Sequence, residues 1–472
     1  MARIALATAS DGRDFVHDEV GPFGLDVQRR LAVALRERGH EVITGEGDLS
    51  SNSDAVRLGR ELAAARPDLT LINYPVWAFP HFSMLFASQG SGPLALFSNI
   101  DPQYPGMVGM LAAGGGLDQI GRRHSRHWGD PADPAVLERL SQLAAAAAVA
   151  QGLSGQTFGR IGGRPMGMYT TVANTDQWMS KFGIDIEDID QYELVRRGSA
   201  VDPAVTKTAR LWLETHAAGV HYDGVKLTPE LLERQIGVYY AARELIVEWN
   251  LDFCGIKGQP EMTNNWCTMD IAEAFLNDPY DWDGAKEPVV CSTESDMDAA
   301  LTMQILKGLS GTPALFADVR HYEASLDVWD LCNSGQHATW FAARSDDPAE
   351  NMAKVHLYPE VLYFPAGGAS VHHIAAPGTM TFARLTRASG RYRMHILRGE
   401  FVEFDPETTE RLARQSTFEW PHAFARFSAS ADEFLSRFSA NHIHAVPGDY
   451  TAELTAVCQY LDIDLDVIGN IV

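Results

Sequence analysis

Cysteine is scarce in this chain of 472 residues: there are five, at positions 254, 267, 291, 332 and 458, odd in number and nowhere arranged as C-x-x-C. That excludes a disulfide-stapled scaffold and the paired-cysteine zinc motifs, and it fits a reducing cytoplasm. Long apolar runs are missing too. None approaches the roughly 18 residues that mark a membrane-spanning helix. The first apolar stretch, residues 4–7, is too short for a signal-peptide core and gives way at once to Ser10-Asp11-Gly12-Arg13. We therefore expect a protein that neither enters nor crosses a membrane. Positive charge is in deficit, with 38 Lys and Arg against 62 Asp and Glu and a formal net charge of -24. The resulting field repels polyanions, so attraction to nucleic acid or an anionic bilayer is not expected, and any anionic ligand needs a locally basic pocket. No G-x-G-x-x-G separates the first strand from the first helix, which argues against a nucleotide-dependent oxidoreductase despite Gly114-Gly115-Gly116.

What the chain does have is length and apolar content. Single cores stop growing at roughly 250 to 300 residues, so two or three domains are expected. Residues 3–9 read as a strand, 25–38 as a helix ended by Gly39, and 41–44 as a second strand. The alternation continues with a helix over 55–65, strands over 69–74 and 93–98, and an alanine-rich helix over 137–151. Repeated βα units of this kind build a parallel sheet. A second α/β stretch follows to about residue 310. From about 355 short β-like runs, such as 379–385 and 392–397, are broken by Gly and Pro, and one late helix is expected over 452–461. The division expected is 1–155, 156–310 and 311–472.

The chemistry concentrates between Glu287 and Tyr322. Pro288-Val289-Val290-Cys291-Ser292 reads as a buried strand that delivers Thr293-Glu294-Ser295-Asp296 at its carboxyl end, where open α/β sheets place ligands. A second apolar run, residues 314–317, leads straight into Asp318. Two acids from neighbouring strand ends can share one divalent cation, and each can move a proton on a bound sugar. Either acid alone would equally suit an N-cap or an ion pair. His442, in Ser439-Ala440-Asn441-His442-Ile443-His444, supplies a third donor, since neutral imidazole ligates manganese-like or zinc-like cations.

The stretches Glu287 to Asp296 and Leu309 to Arg320, and the spacing between Glu294 and Asp318, resemble the metal-site region of the L-fucose/L-arabinose isomerase family. Asp281-Trp282-Asp283-Gly284, Asn333-Ser334-Gly335 and Ala440-Asn441-His442 are similar to further family segments. The resemblance implies two Rossmann-like α/β domains followed by a mainly β, barrel-like domain, assembled as a homo-oligomer, hexameric in the family, with the site near a subunit interface. It implies that Glu294, Asp318 and His442 hold Mn2+ or another divalent ion, and that the two acids form the acid/base pair of a cis-enediol isomerisation. Gln259, Asn441 and Lys257 then fall among the substrate contacts, Lys257 standing where the family often has glutamine. Trp77 resembles a tryptophan that closes a neighbouring subunit's pocket.

One departure bears on the substrate. Where L-fucose isomerases have an apolar strand, this chain has Arg122-Arg123-His124-Ser125-Arg126-His127. Bidentate arginine contacts from Arg122 and Arg126 suit a sulfonate, phosphate or carboxylate, and since isomerases of the kind this chain resembles also act on sulfoquinovose, the resemblance makes that sulfonated sugar the expected one. L-fucose, D-arabinose and L-arabinose are the alternatives, and a noncatalytic sugar-binding protein of the same fold is the rival from another class.

Overall fold

The computed structural model describes residues 1–334 and 337–469. The chain divides into two compact units, one of Met1–Gly152 with Thr455–Leu461 and one of Leu153–Leu454 with Asp462–Val472.

In the first unit five strands pair in the order Glu41–Thr44, Arg3–Thr8, Leu69–Tyr74, Leu94–Ser98 and Ser125–Trp128, every pairing parallel. The inner strands are almost continuous apolar runs because helices cover a parallel sheet on its faces. Ala5, Leu6, Ile72, Leu96 and Phe97 are accordingly buried. The basic run ends in a short outer strand. The first helix spans Asp14–Glu37 rather than starting near residue 25. Gly21, Pro22 and Gly24 resemble helix breakers in sequence, yet a Cβ on Gly24 would stand 3.3 Å from Pro75 Cγ, so the glycine serves a close approach inside a continuous helix.

In the second unit a four-stranded parallel sheet has the order Cys291–Thr293, Phe253–Ile256, Thr157–Ile161 and Asp185–Ile189. Most of the later chain enters a mainly β arrangement. Six antiparallel strands, Gly378–Ala388, His442–Pro447, Leu315–Glu323, Val328–Cys332, His422–Phe427 and Arg391–Phe401, pair in that order. The first and last of them also pair with each other, which closes the ring. Asp464–Val467 adds a parallel strand to Arg391–Phe401. The region expected to hold one late helix has two more, Pro406–Gln415 and Ala431–Arg437. Both carry start signals: Asp405 caps Thr408 N ahead of Pro406, and Ser430 caps Glu433 N in an S-x-x-E box. Among the described residues no helix is long and apolar enough to cross a membrane, and all five cysteines are unpaired and buried.

A candidate metal centre in the second unit

The strand Cys291–Thr293 stops because the next two residues leave extended geometry. Glu294 and Ser295 have φ of 55° and 48°, a left-handed conformation that costs non-glycine residues energy and clusters at functional sites. The turn is pinned where Ser295 N donates to the Ile256 carbonyl at 3.0 Å. It also needs Gly255, because a Cβ there would lie 2.8 Å from Ser295 Cα. Asp296 then caps the helix Met297–Ser310 through Ala299 N. Strand, strained turn and helix start together aim Glu294 away from its sheet.

Asp318 is placed differently from the sequence expectation. It lies inside the strand Leu315–Glu323, not at its end, because the apolar run and the polar residues after it form one strand with a bulge between Val319 and His321. Its cross-strand partner is His442. Glu294 therefore comes from the parallel sheet, whereas Asp318 and His442 are register neighbours in the ring.

These three side chains converge. His442 Nε2 lies 3.1 Å from Glu294 Oε2 and 3.4 Å from Asp318 Oδ1. The other ring nitrogen, Nδ1, is 2.7 Å from Asp296 Oδ2. Arg384, fully buried, grips the same Asp296 carboxylate at 2.9 and 3.2 Å. Burial disfavours charge on Asp296, but Arg384 and His442 hold its carboxyl far below the usual range. With Asp296 ionised, Nδ1 carries the hydrogen and Nε2 turns a lone pair toward two carboxylates. Nε2 and Glu294 Oε2 are both buried and neither has a hydrogen-bond partner. Such a meeting of lone pairs requires a positive species among them. Without a metal that species is a proton: burial opposes charge on the ring, yet the surrounding carboxylates raise His442 to about 10. Two carboxylates and an imidazole whose far N–H is held by an acid also suit a divalent cation.

Other expected site residues adjoin this group. Asn441 Nδ2 donates to Asp318 Oδ1 at 3.3 Å, and Gln259 Nε2 reaches Glu294 Oε1 at 3.4 Å. Lys257 is 2.8 Å from Glu261. Asn333 Nδ2 donates to Asp318 Oδ2 at 2.7 Å; Gly335 of the same motif lies outside the described residues. Trp77, half-buried, belongs to the first unit. So do Arg122, whose terminal nitrogens donate to the Ser91 and Gly92 carbonyls at 3.3 and 2.6 Å, and Arg126, paired with Asp118 at 2.5 Å. Sequence reasoning gave no role to Asp296 and Arg384. The signal for Arg384 was available, as a charged residue between Ala383 and Leu385 near the end of the β-like run 379–385.

Models of the three domains of L-fucose isomerase match this chain: the first N-terminal domain over residues 1–155, the second N-terminal domain over 242–311 and the C-terminal domain over 331–469. L-fucose isomerases from Escherichia coli O139:H28 (strain E24377A), O9:H4 (strain HS) and strain K12 (DH10B) are each 23% identical to it over 498 residues, covering 89% of this chain and 84% of theirs. A crystal structure of a conserved domain protein from Vibrio cholerae is similar at 14% identity over 55% of this chain and 74% of that one, with a TM-score of 0.18, too low to bear on the fold.

Proposed function

This chain belongs to the L-fucose isomerase family and is thus an aldose–ketose isomerase, and we propose that it is metal-dependent, with Glu294, Asp318 and His442 as the ligands and the two acids as the proton-transfer pair. The observation that carries the reading is the meeting of His442 Nε2 and Glu294 Oε2 at 3.1 Å, both buried and both without a hydrogen-bond partner. When bound, a divalent ion, for which manganese suits the oxygen-rich donor set, would supply Lewis-acid stabilisation of charge developing on the sugar's C1 and C2 oxygens.

The remaining work falls to the protein's own groups. One of Glu294 and Asp318 takes the proton from C2, and the other serves the sugar oxygens or returns a proton to C1, through an enediol. Asn333 and Asn441 hold Asp318 by its two oxygens, so that carboxylate presents itself in a fixed orientation. Asp296 and Arg384 fix the His442 ring. Burial of Glu294, Asp296, Arg384 and His442 keeps water from that side of the group, while Asp318 and Asn441 stay open to an incoming sugar. We assign Trp77 to the pocket of a neighbouring copy in a homo-oligomer.

For the substrate, the two arginines counted toward an anionic C6 group are already engaged, Arg122 with main-chain carbonyls and Arg126 with Asp118. That favours a neutral aldose of the L-fucose or arabinose type over sulfoquinovose. The test is to incubate metal-stripped protein, with and without manganese, with L-fucose, D-arabinose, L-arabinose and sulfoquinovose in deuterium oxide and follow conversion by NMR. Manganese-dependent conversion with deuterium in the product is expected, for a neutral sugar. Conversion of sulfoquinovose alone would reverse the substrate assignment. Undiminished conversion by stripped protein would reject the metal, and no conversion by folded, loaded protein would favour a noncatalytic sugar binder.

A further inference from the structure

Four adjacent strands of the ring place His442, Asp318, Cys332 and His422 side by side, each the register partner of the next. Directly paired residues share a face of the sheet. Their neighbours Ile443, Ala317, Leu331 and Ala423 enter the apolar core. Asp330, two residues before Cys332, lies on the same face as the row. The candidate metal centre occupies one end of this row. At the other end a carboxylate oxygen of Asp330, Cys332 Sγ and an imidazole nitrogen of His422 lie within 4.8 Å of one another, and all three residues are buried.

The hydrogen bonds define the His422 ring. Its Nε2 is 3.0 Å from the Thr417 carbonyl oxygen, which only accepts, so Nε2 carries a hydrogen. Its Nδ1 is 2.9 Å from Asp330 Oδ1. The second Asp330 oxygen accepts the Ser416 hydroxyl at 2.5 Å, which leaves Oδ1 facing the ring. In a neutral imidazole Nδ1 is then a lone pair directed at a carboxylate oxygen, and the contact becomes attractive only with a proton or a metal ion in between. A ligating histidine is characteristically held in this way, with its far N–H given to a main-chain carbonyl. The sulfur decides between the two. A thiol contributes nothing to a shared proton, but it completes a nitrogen, oxygen and sulfur donor set.

We propose that Asp330, Cys332 and His422 form a second cation site for a borderline transition-metal ion such as zinc, separate from the Glu294, Asp318 and His442 group. Thiolate, imidazole and carboxylate are the donors zinc takes in four-coordinate sites. Binding replaces the Cys332 thiol proton, which is released to solvent. The alternative is a protonated His422 paired with Asp330, with Cys332 merely packed in its small apolar cluster with Phe364 and Trp420.

The test is cobalt(II) titration of the full, chelator-stripped chain, with elemental analysis of bound metal and near-ultraviolet absorption. Two ions per chain and a sulfur-to-cobalt charge-transfer band are expected. Cys332→Ser loses the band and one ion, whereas Glu294→Gln keeps the band. If Cys332→Ser does not fold, His422→Gln carries the same expectation of one ion fewer. Wild-type protein without the band, or a band that persists in folded Cys332→Ser or His422→Gln, overturns the site. The readout is independent of turnover, so failure of the isomerase reading and failure of this one are distinguishable.

Discussion

Arg384 and His442 meet on one carboxylate. Arg384 Nη1 and His442 Nδ1 approach the same oxygen of Asp296, at 2.9 and 2.7 Å, in a fully buried setting. The arginine offsets the cost of burying the acid, and the acid orients the ring. A charge with no contact to the proposed cation thereby sets which histidine nitrogen faces it.

Asp296→Asn should therefore weaken cation binding while leaving the three ligands in place. Loss of a partner that orients a ligating histidine typically costs 10- to 100-fold in metal affinity or activity, and that fall is expected in a chelator-competition titration. Arg384→Met should cost about 3 to 5 kcal/mol of stability in denaturant unfolding, because it leaves a buried charge unpaired. Unchanged affinity in the first variant would separate Asp296 from the cation.

Removal of either acid should stop proton transfer by more than it weakens binding. Glu294→Gln and Asp318→Asn are each expected to lose at least about 10²- to 10⁴-fold in kcat, the usual share of a positioned acid or base. The variant lacking the C2 base should also lose deuterium wash-in from solvent. Retained wash-in in both would remove these acids from the reaction.

Burial should make the second unit acid-sensitive at His373. Its Nδ1 donates to the Val371 carbonyl while Nε2 is buried and unpartnered, and burial, with a contribution from His372, pushes the ring down to about 3. The unfolded ring takes its proton near 6.5. The neutral ring's contribution is thus complete above about pH 6.5 and declines as pH falls from there toward 3, by up to about 1.4 kcal/mol per pH unit. His373→Phe should remove that share of the slope when urea unfolding is measured between pH 6.5 and 4.5. An identical slope in the variant would show that His373 does not carry it.

Much of the architecture was legible because it depends on local pattern. Continuous apolar runs marked the inner strands of the first unit, and the alternation of strands and helices marked a parallel sheet. What misled was punctuation. The first helix was expected only from residue 25, beyond Gly21, Pro22 and Gly24, although it runs unbroken from Asp14. The two short helices after residue 405 were overlooked because their apolar faces are narrow, although Asp405 and Ser430 announced their starts. At the site, Glu294 was legible as an acid ending a buried run. Asp318 was singled out as an acid at a strand end, whereas it belongs to the middle of its strand. Asp296 could not be given a role from spacing, because its partners lie 88 and 146 residues away.

The sequence by itself determined the chemistry available: the acids, the histidine and their family pattern, a strongly negative surface, and the absence of paired cysteines. Tertiary structure alone decided how those groups are placed, because register sets His442 beside Asp318 and a strained turn brings Glu294 from another sheet. The same register sets Cys332 and His422 in line with them. It also decided that Arg122 donates to main-chain carbonyls and that Arg126 pairs with Asp118 at the surface. Side-chain identity is written locally, whereas orientation, burial and the direction of a lone pair arise only when distant segments pack.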